Sequence, residues 1–183
     1  VLYDESSELE YKGEYSQAIN RIQQAHEFVE QNHLPISEKA RALIRIGWLE
    51  FLMGHYAQAY EISERGLKLA EPKSVNTYEG LVNIAAIRAE TNDLAGAEKT
   101  YTQAIELCRE LGTEDILWRG LHGAAVGGYL PRGQFDLALE AYKAALPNQW
   151  AHVTADAEQA LTLIHDAREN IGACMVEVQR VLS

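Results

Sequence analysis

The chain has 183 residues, is 47% hydrophobic and 23% charged, and carries a formal net charge of −11. Those values fit one folded domain or a short repeat array, and the acidic balance argues against nucleic acid, whose phosphates require a basic face. No apolar run approaches the ~20 residues that cross a bilayer and no secretory leader is visible, so a cytoplasmic protein without membrane contact is expected.

Residues 1–12 read as the tail of a helix ended by Gly13. The chain starts with Val1 inside that pattern, which points to a piece of a larger protein or to a missing start. A helix over 15–31 follows, with Ala18, Ile22, Ala25 and Val29 on one face, and Pro35 ends the break after it because proline cannot continue a helix. Ser37 is positioned to cap a helix over 37–53. Gly54 closes it, and 56–70 is its antiparallel mate. The same alternation predicts helices over 74–90, 94–111, 114–130 and 134–146, separated by Pro72, Asn92, Gly112-Thr113 with Thr113 as a cap, and Pro131 with Gly133. No stretch shows the two-residue alternation of a half-buried strand. Residues 149–182 form one long amphipathic pattern in which Ala157, Ala160, Ile164, Ala167, Ile171, Cys174, Val178 and Val181 make a narrow seam.

One short motif recurs: a turn residue, any residue, an aromatic or Leu, two more, then Ala. It is Gly13 to Ala18, Gly54 to Ala59, Asn92 to Ala97 and Gly133 to Ala138, with 41, 38 and 41 residues between the alanines. A period of that size marks stacked supersecondary units. Small residues recur where two helices must approach: Ala18, Ala59, Ala97 and Ala138, then Ala25, Gly66, Ala104 and Ala145, with Gly47 and Ala85 on the first helices. These pairs resemble tetratricopeptide repeats. The resemblance covers residues 1–147 as units 1–34, 35–73, 74–112 and 113–147, and it implies an all-α, right-handed superhelix (solenoid), closed here by a capping or linker helix over 148–183. The family's tyrosine late in the first helix survives only as Tyr129 and is replaced by Glu50 and Arg88. Its second-helix aromatic is kept as Tyr101 and Tyr142. The long period is similar to that of the helical regions of MalT-like bacterial regulators and of kinesin light chains.

Such repeats imply a groove lined by first helices. In the second unit it would show Arg41, Ile44, Arg45, Trp48 and Phe51, and in the third Glu79, Val82, Asn83 and Ala86. Trp48 beside Ile44 and Phe51, with basic edges, is either an anchor for a peptide or helix or packing against a neighbouring unit or the C-terminal helix. Some family members clamp a terminal carboxylate, but here only Asn83 matches the clamp pattern, so no clamp is expected. Gly120, Gly123 and Gly127 share one face of the fourth unit's first helix. Glycine disfavours helix there, so a close approach is expected, by the C-terminal helix, a subunit or a ligand.

No nucleophile elbow, phosphate-cradling loop or metalloprotease helix motif is present, and the histidines pair at most two to a turn, too few for zinc. Cys108 and Cys174 lie within helical patterns and read as buried thiols of a reducing compartment. The expectation is a non-catalytic, cofactor-free scaffold that binds a protein or peptide, with a homodimer through the C-terminal helix as a possible assembly. The alternative is a ligand- or protein-responsive segment of a larger bacterial regulator.

Overall fold

The computed structural model describes residues 2–33 and 35–145, together with Thr162, Asp166, Glu169 and Asn170. Eight α-helices succeed one another among these residues: α1 Leu2–Tyr11, α2 Tyr15–Gln31, α3 Ile36–Leu52, α4 Tyr56–Leu69, α5 Val75–Glu90, α6 Leu94–Leu111, α7 Glu114–Gly123 and α8 Phe135–Ala145. No strand occurs among the described residues. The helices pack as four hairpins, α1/α2 to α7/α8, and each hairpin stacks on the next through α2–α3, α4–α5 and α6–α7. First helices also touch one another, α3 with α5 and α5 with α7. The result is an all-α helical-repeat solenoid. The expected C-terminal helix over 148–183 lies outside the described residues, apart from Thr162, Asp166, Glu169 and Asn170, which are helical and exposed. Cys174 is also outside them, whereas Cys108 is buried and its thiol donates to Thr113 O at 3.1 Å.

The recurring motif has one structural cause. Gly13, Gly54, Asn92 and Gly133 all adopt positive φ, between 66° and 80°, a conformation that glycine and, less readily, asparagine tolerate. At each turn the next residue's N–H reaches back to a carbonyl five positions earlier: Glu14 to Leu9, His55 to Glu50, Asp93 to Arg88 and Gln134 to Tyr129. This left-handed cap satisfies carbonyls that the helix end leaves open. Five residues beyond each left-handed residue comes the alanine. Ala18, Ala59, Ala97 and Ala138 are all fully buried, as are Ala104 and Ala145, each two turns after Ala97 and Ala138.

Glu50 and Arg88, which replace the family's tyrosine, brace these turns by polar means. Buried Glu50 accepts from His55 Nδ1 at 2.7 Å and Gln58 Nε2 at 2.9 Å. Arg88 pairs with Asp93 at 3.7 Å and donates to Thr100 Oγ1 at 2.7 Å. The two units use opposite charges at equivalent positions, and each head group reaches the residue five positions on.

Three local expectations are corrected. Helix α3 starts at Ile36, with Pro35 as N-cap and no side-chain cap, so Ser37 is inside the helix. Thr113 is the N-cap residue of α7 but makes no capping hydrogen bond; its hydroxyl turns back toward Cys108 O. The helix expected over 114–130 is α-helical only to Gly123. A π-helical stretch, Ala124–Tyr129, and a 3-10 turn, Leu130–Arg132, complete it. Three glycines between 123 and 128 weaken the α-helix there by about 1 kcal/mol each.

Tyr78 of α5 also breaks into α7. Its ring is fully buried, and its hydroxyl donates to Ile116 O at 2.7 Å and accepts from Gly120 N–H at 2.9 Å. Those two backbone groups are the pair that an unbroken α-helix would bond to each other.

Candidate functional site

The first helices of the second, third and fourth units line one groove, a cavity of about 340 Å³. Helix α3 contributes Trp48 and Phe51, α5 contributes Val82, Ala86, Ala89 and Glu90, and α7 with its π extension contributes Trp118, Arg119, His122, Gly123, Val126 and Gly127. Tyr101 of α6 reaches the lining between α5 and α7.

Trp48 is held rigidly on one wall. Its indole N–H donates to Glu10 Oε1 of α1 at 2.9 Å, and its ring stacks on Phe51 with centroids 5.1 Å apart. The Arg119 guanidinium lies over it, 5.5 Å from the ring centroid, within cation–π range. Arg119 in turn pairs with Glu79 at 3.1 Å, and Glu10 also receives Arg45. A polar chain from Glu10 through Trp48 and Arg119 to Glu79 thus ties α1, α3, α7 and α5 together. A side chain fixed in this way loses little rotamer freedom on binding a partner.

Of the nine expected groove residues, Trp48, Phe51, Val82 and Ala86 line the cavity, and Glu79 pairs with Arg119 beside it. Arg41 lies over the Tyr3 ring at 4.3 Å, and Arg45 is committed to Glu10 and to Ser7 Oγ at 3.2 Å; both serve the α1–α3 contact. Ile44 and Asn83 are buried between α3 and α5, where the Asn83 amide donates to Ile44 O at 2.8 Å. Neither lines the groove. The sequence reading missed Tyr101, Glu90, Trp118, Arg119 and His122. Residues 119, 122, 123 and 126 share a helical face beside the glycine stripe, a spacing that could have marked them.

Side chains of the preceding unit come close to the glycine stripe. A Cβ on Gly123 would lie 2.7 Å from Tyr101 Cζ and 2.8 Å from its hydroxyl, and one on Gly120 would lie 3.3 Å from the Tyr78 hydroxyl. A Cβ on Gly127 would lie 3.1 Å from Ala89 Cβ. Side chains of the preceding unit lie against the helix at Gly120 and Gly123.

Burial raises the pKa of both tyrosines well above the ordinary 10.0; for Tyr101 the nearby Glu90 carboxylate adds to the effect. Both hydroxyls are neutral donors at physiological pH. Because the folded values exceed the unfolded ones, their contribution to stability is complete below the unfolded pKa of 10.0 and is lost as pH rises beyond it, where only the unfolded chain ionises. The melting temperature is therefore expected to hold between about pH 8 and pH 9.5 and to fall above about pH 10. Tyr78→Phe should reduce the slope of that fall. Thermal melts read by circular dichroism across this range, with tyrosinate absorbance alongside, would check it; an unchanged slope in the variant would refute the assignment.

No group of three or more His, Cys, Asp or Glu side chains among the described residues could hold a metal ion. No helix among them is long and apolar enough to cross a membrane. Four stacked helical hairpins with a groove across their first helices define a repeat protein of the solenoid class. Residues 78–111, which contain nearly all of α5 and the whole of α6, match the Tetratricopeptide repeat family. That segment is similar to tetratricopeptide repeats, and repeats of this type generally mediate protein–protein interaction. No curated protein matches it.

Proposed function

We propose that this chain is a non-catalytic interaction scaffold whose groove receives a short extended or helical segment of a partner protein, with Trp48 as the anchor. The observation that carries this reading is the pre-set Trp48 ring on the wall of an apolar groove that spans three units. Tryptophan and arginine dominate binding hot spots because they bury large areas around a few directed contacts. The cavity has room for one or two partner side chains, so the rest of the segment would run along the first helices. Trp48→Ala should weaken a groove-binding peptide by at least about 2 kcal/mol, roughly 30-fold in Kd. The test is selection of a random dodecapeptide library on the folded chain, followed by titration calorimetry of an enriched peptide against wild type and Trp48→Ala. Absence of any enriched peptide, or equal affinity for the two proteins, would overturn the reading.

A further inference from the structure

The charges around the groove are unevenly matched. Glu10 is neutralised by Arg45, and Glu79 by Arg119. Arg88, the basic residue nearest in sequence to the groove's far end, is taken up by Asp93 and Thr100. Glu90 is different: it lines the groove, is exposed, and has no hydrogen-bond or ion-pair partner among the described residues. It is also the last residue of α5, where the helix dipole adds negative potential.

Beside it stands a second unmatched group. Tyr101 is only 3% exposed and lines the same cavity, and among the described residues its hydroxyl has no hydrogen-bond partner. On the groove lining, this hydroxyl is available to a group that arrives from outside. Gly123, which lacks a Cβ, lets the Tyr101 ring lie directly against α7. Trp48, Phe51 and Val126 add apolar lining to the same groove.

Resting on the scaffold reading, we infer that the groove selects a partner segment carrying a lysine or arginine next to an aliphatic or aromatic residue. The apolar side chain sits against Trp48 and Phe51. The cation meets the Glu90 carboxylate, and the Tyr101 hydroxyl donates to a backbone carbonyl of the segment or accepts one of its N–H groups. The chain's net charge of −11 favours approach of such a segment and opposes an acidic one.

The dodecapeptide selection tests this on the full chain when it is run in parallel on wild type and Glu90→Gln. Glu90 is exposed and partnerless among the described residues, so the variant should melt like wild type. Wild type should enrich peptides with Lys or Arg adjacent to an apolar residue, and Glu90→Gln should lose that preference. A chosen peptide should bind Glu90→Gln about tenfold more weakly, and Tyr101→Phe should weaken it by a smaller factor. Enriched peptides with no basic preference, or acidic ones, that bind wild type and Glu90→Gln equally but fail on Trp48→Ala would overturn this inference and leave the scaffold reading intact. Failure of every peptide to bind would overturn both.

Discussion

Tyr78→Ala is expected to lower the free energy of unfolding by about 3–5 kcal/mol, the range for removing a fully buried aromatic ring. The ring belongs to the core shared by α5, α6 and α7, where it packs with Val82, Ala104, Ile105, Cys108 and Leu121. Its hydroxyl does more than pack. It bonds Ile116 O and Gly120 N–H of α7, so the first half of α7 is bonded to the third unit as well as to itself. In a stacked array, stability is close to a sum of unit terms and neighbour terms. Loss of this side chain removes a neighbour term, and the fourth unit should then unfold before the rest. Urea titration followed at 222 nm should give an earlier and less steep transition. Tyr78→Phe separates the two contributions: the ring stays, and the freed carbonyl and N–H can bond each other, so the loss should be only about 1 kcal/mol. A Tyr78→Ala protein within 1 kcal/mol of wild type, or one as cooperative as wild type, would refute the bracing role.

What the sequence made legible was local. The left-handed residues at Gly13, Gly54, Asn92 and Gly133 follow from a four-fold motif, because only a few residue types tolerate that backbone. The contact alanines follow from the same register. Trp48 and Phe51 could be placed on the groove because helical spacing fixes which face a residue occupies. Spacing does not say what lies across from that face. Arg45 looked like a free cation until Glu10, thirty-five residues earlier, was brought beside it. Asn83 looked like a groove residue, but its helix turns that face toward α3, where Ile44 O waits as an acceptor. At glycines 120 and 123 the nearby rings, Tyr78 and Tyr101, come from helices one unit back. The π stretch had a compositional signal in Gly123 just before it and in its own Gly127 and Gly128. The Tyr101 ring, from one unit back, stands where the α-helical pattern stops.

That ring sets up the second large effect. Gly123→Leu should destabilise the fold by about 2–3 kcal/mol, an overpacking loss partly offset by the better helix propensity of leucine. The new Cβ would meet Tyr101 Cζ at 2.7 Å and its hydroxyl at 2.8 Å. Tyr101 is a stiff, buried ring in the same core as Ala97 and Ala124, both also buried, so it cannot swing aside as a long flexible side chain would. The added isobutyl group would also narrow the groove, and peptide binding should fall together with stability. Gly127→Ala provides the control, because its Cβ would come no nearer than 3.1 Å, to Ala89 Cβ; its loss should stay below about 1 kcal/mol once the gain in helix propensity is counted. The decisive comparison is a double-mutant cycle between Gly123→Ala and Tyr101→Leu, read by chemical unfolding. If the two side chains compete for one space, the double variant should be more stable than the single changes add up to, with a coupling of at least about 1 kcal/mol. Additive losses would mean that Gly123 faces something other than this ring.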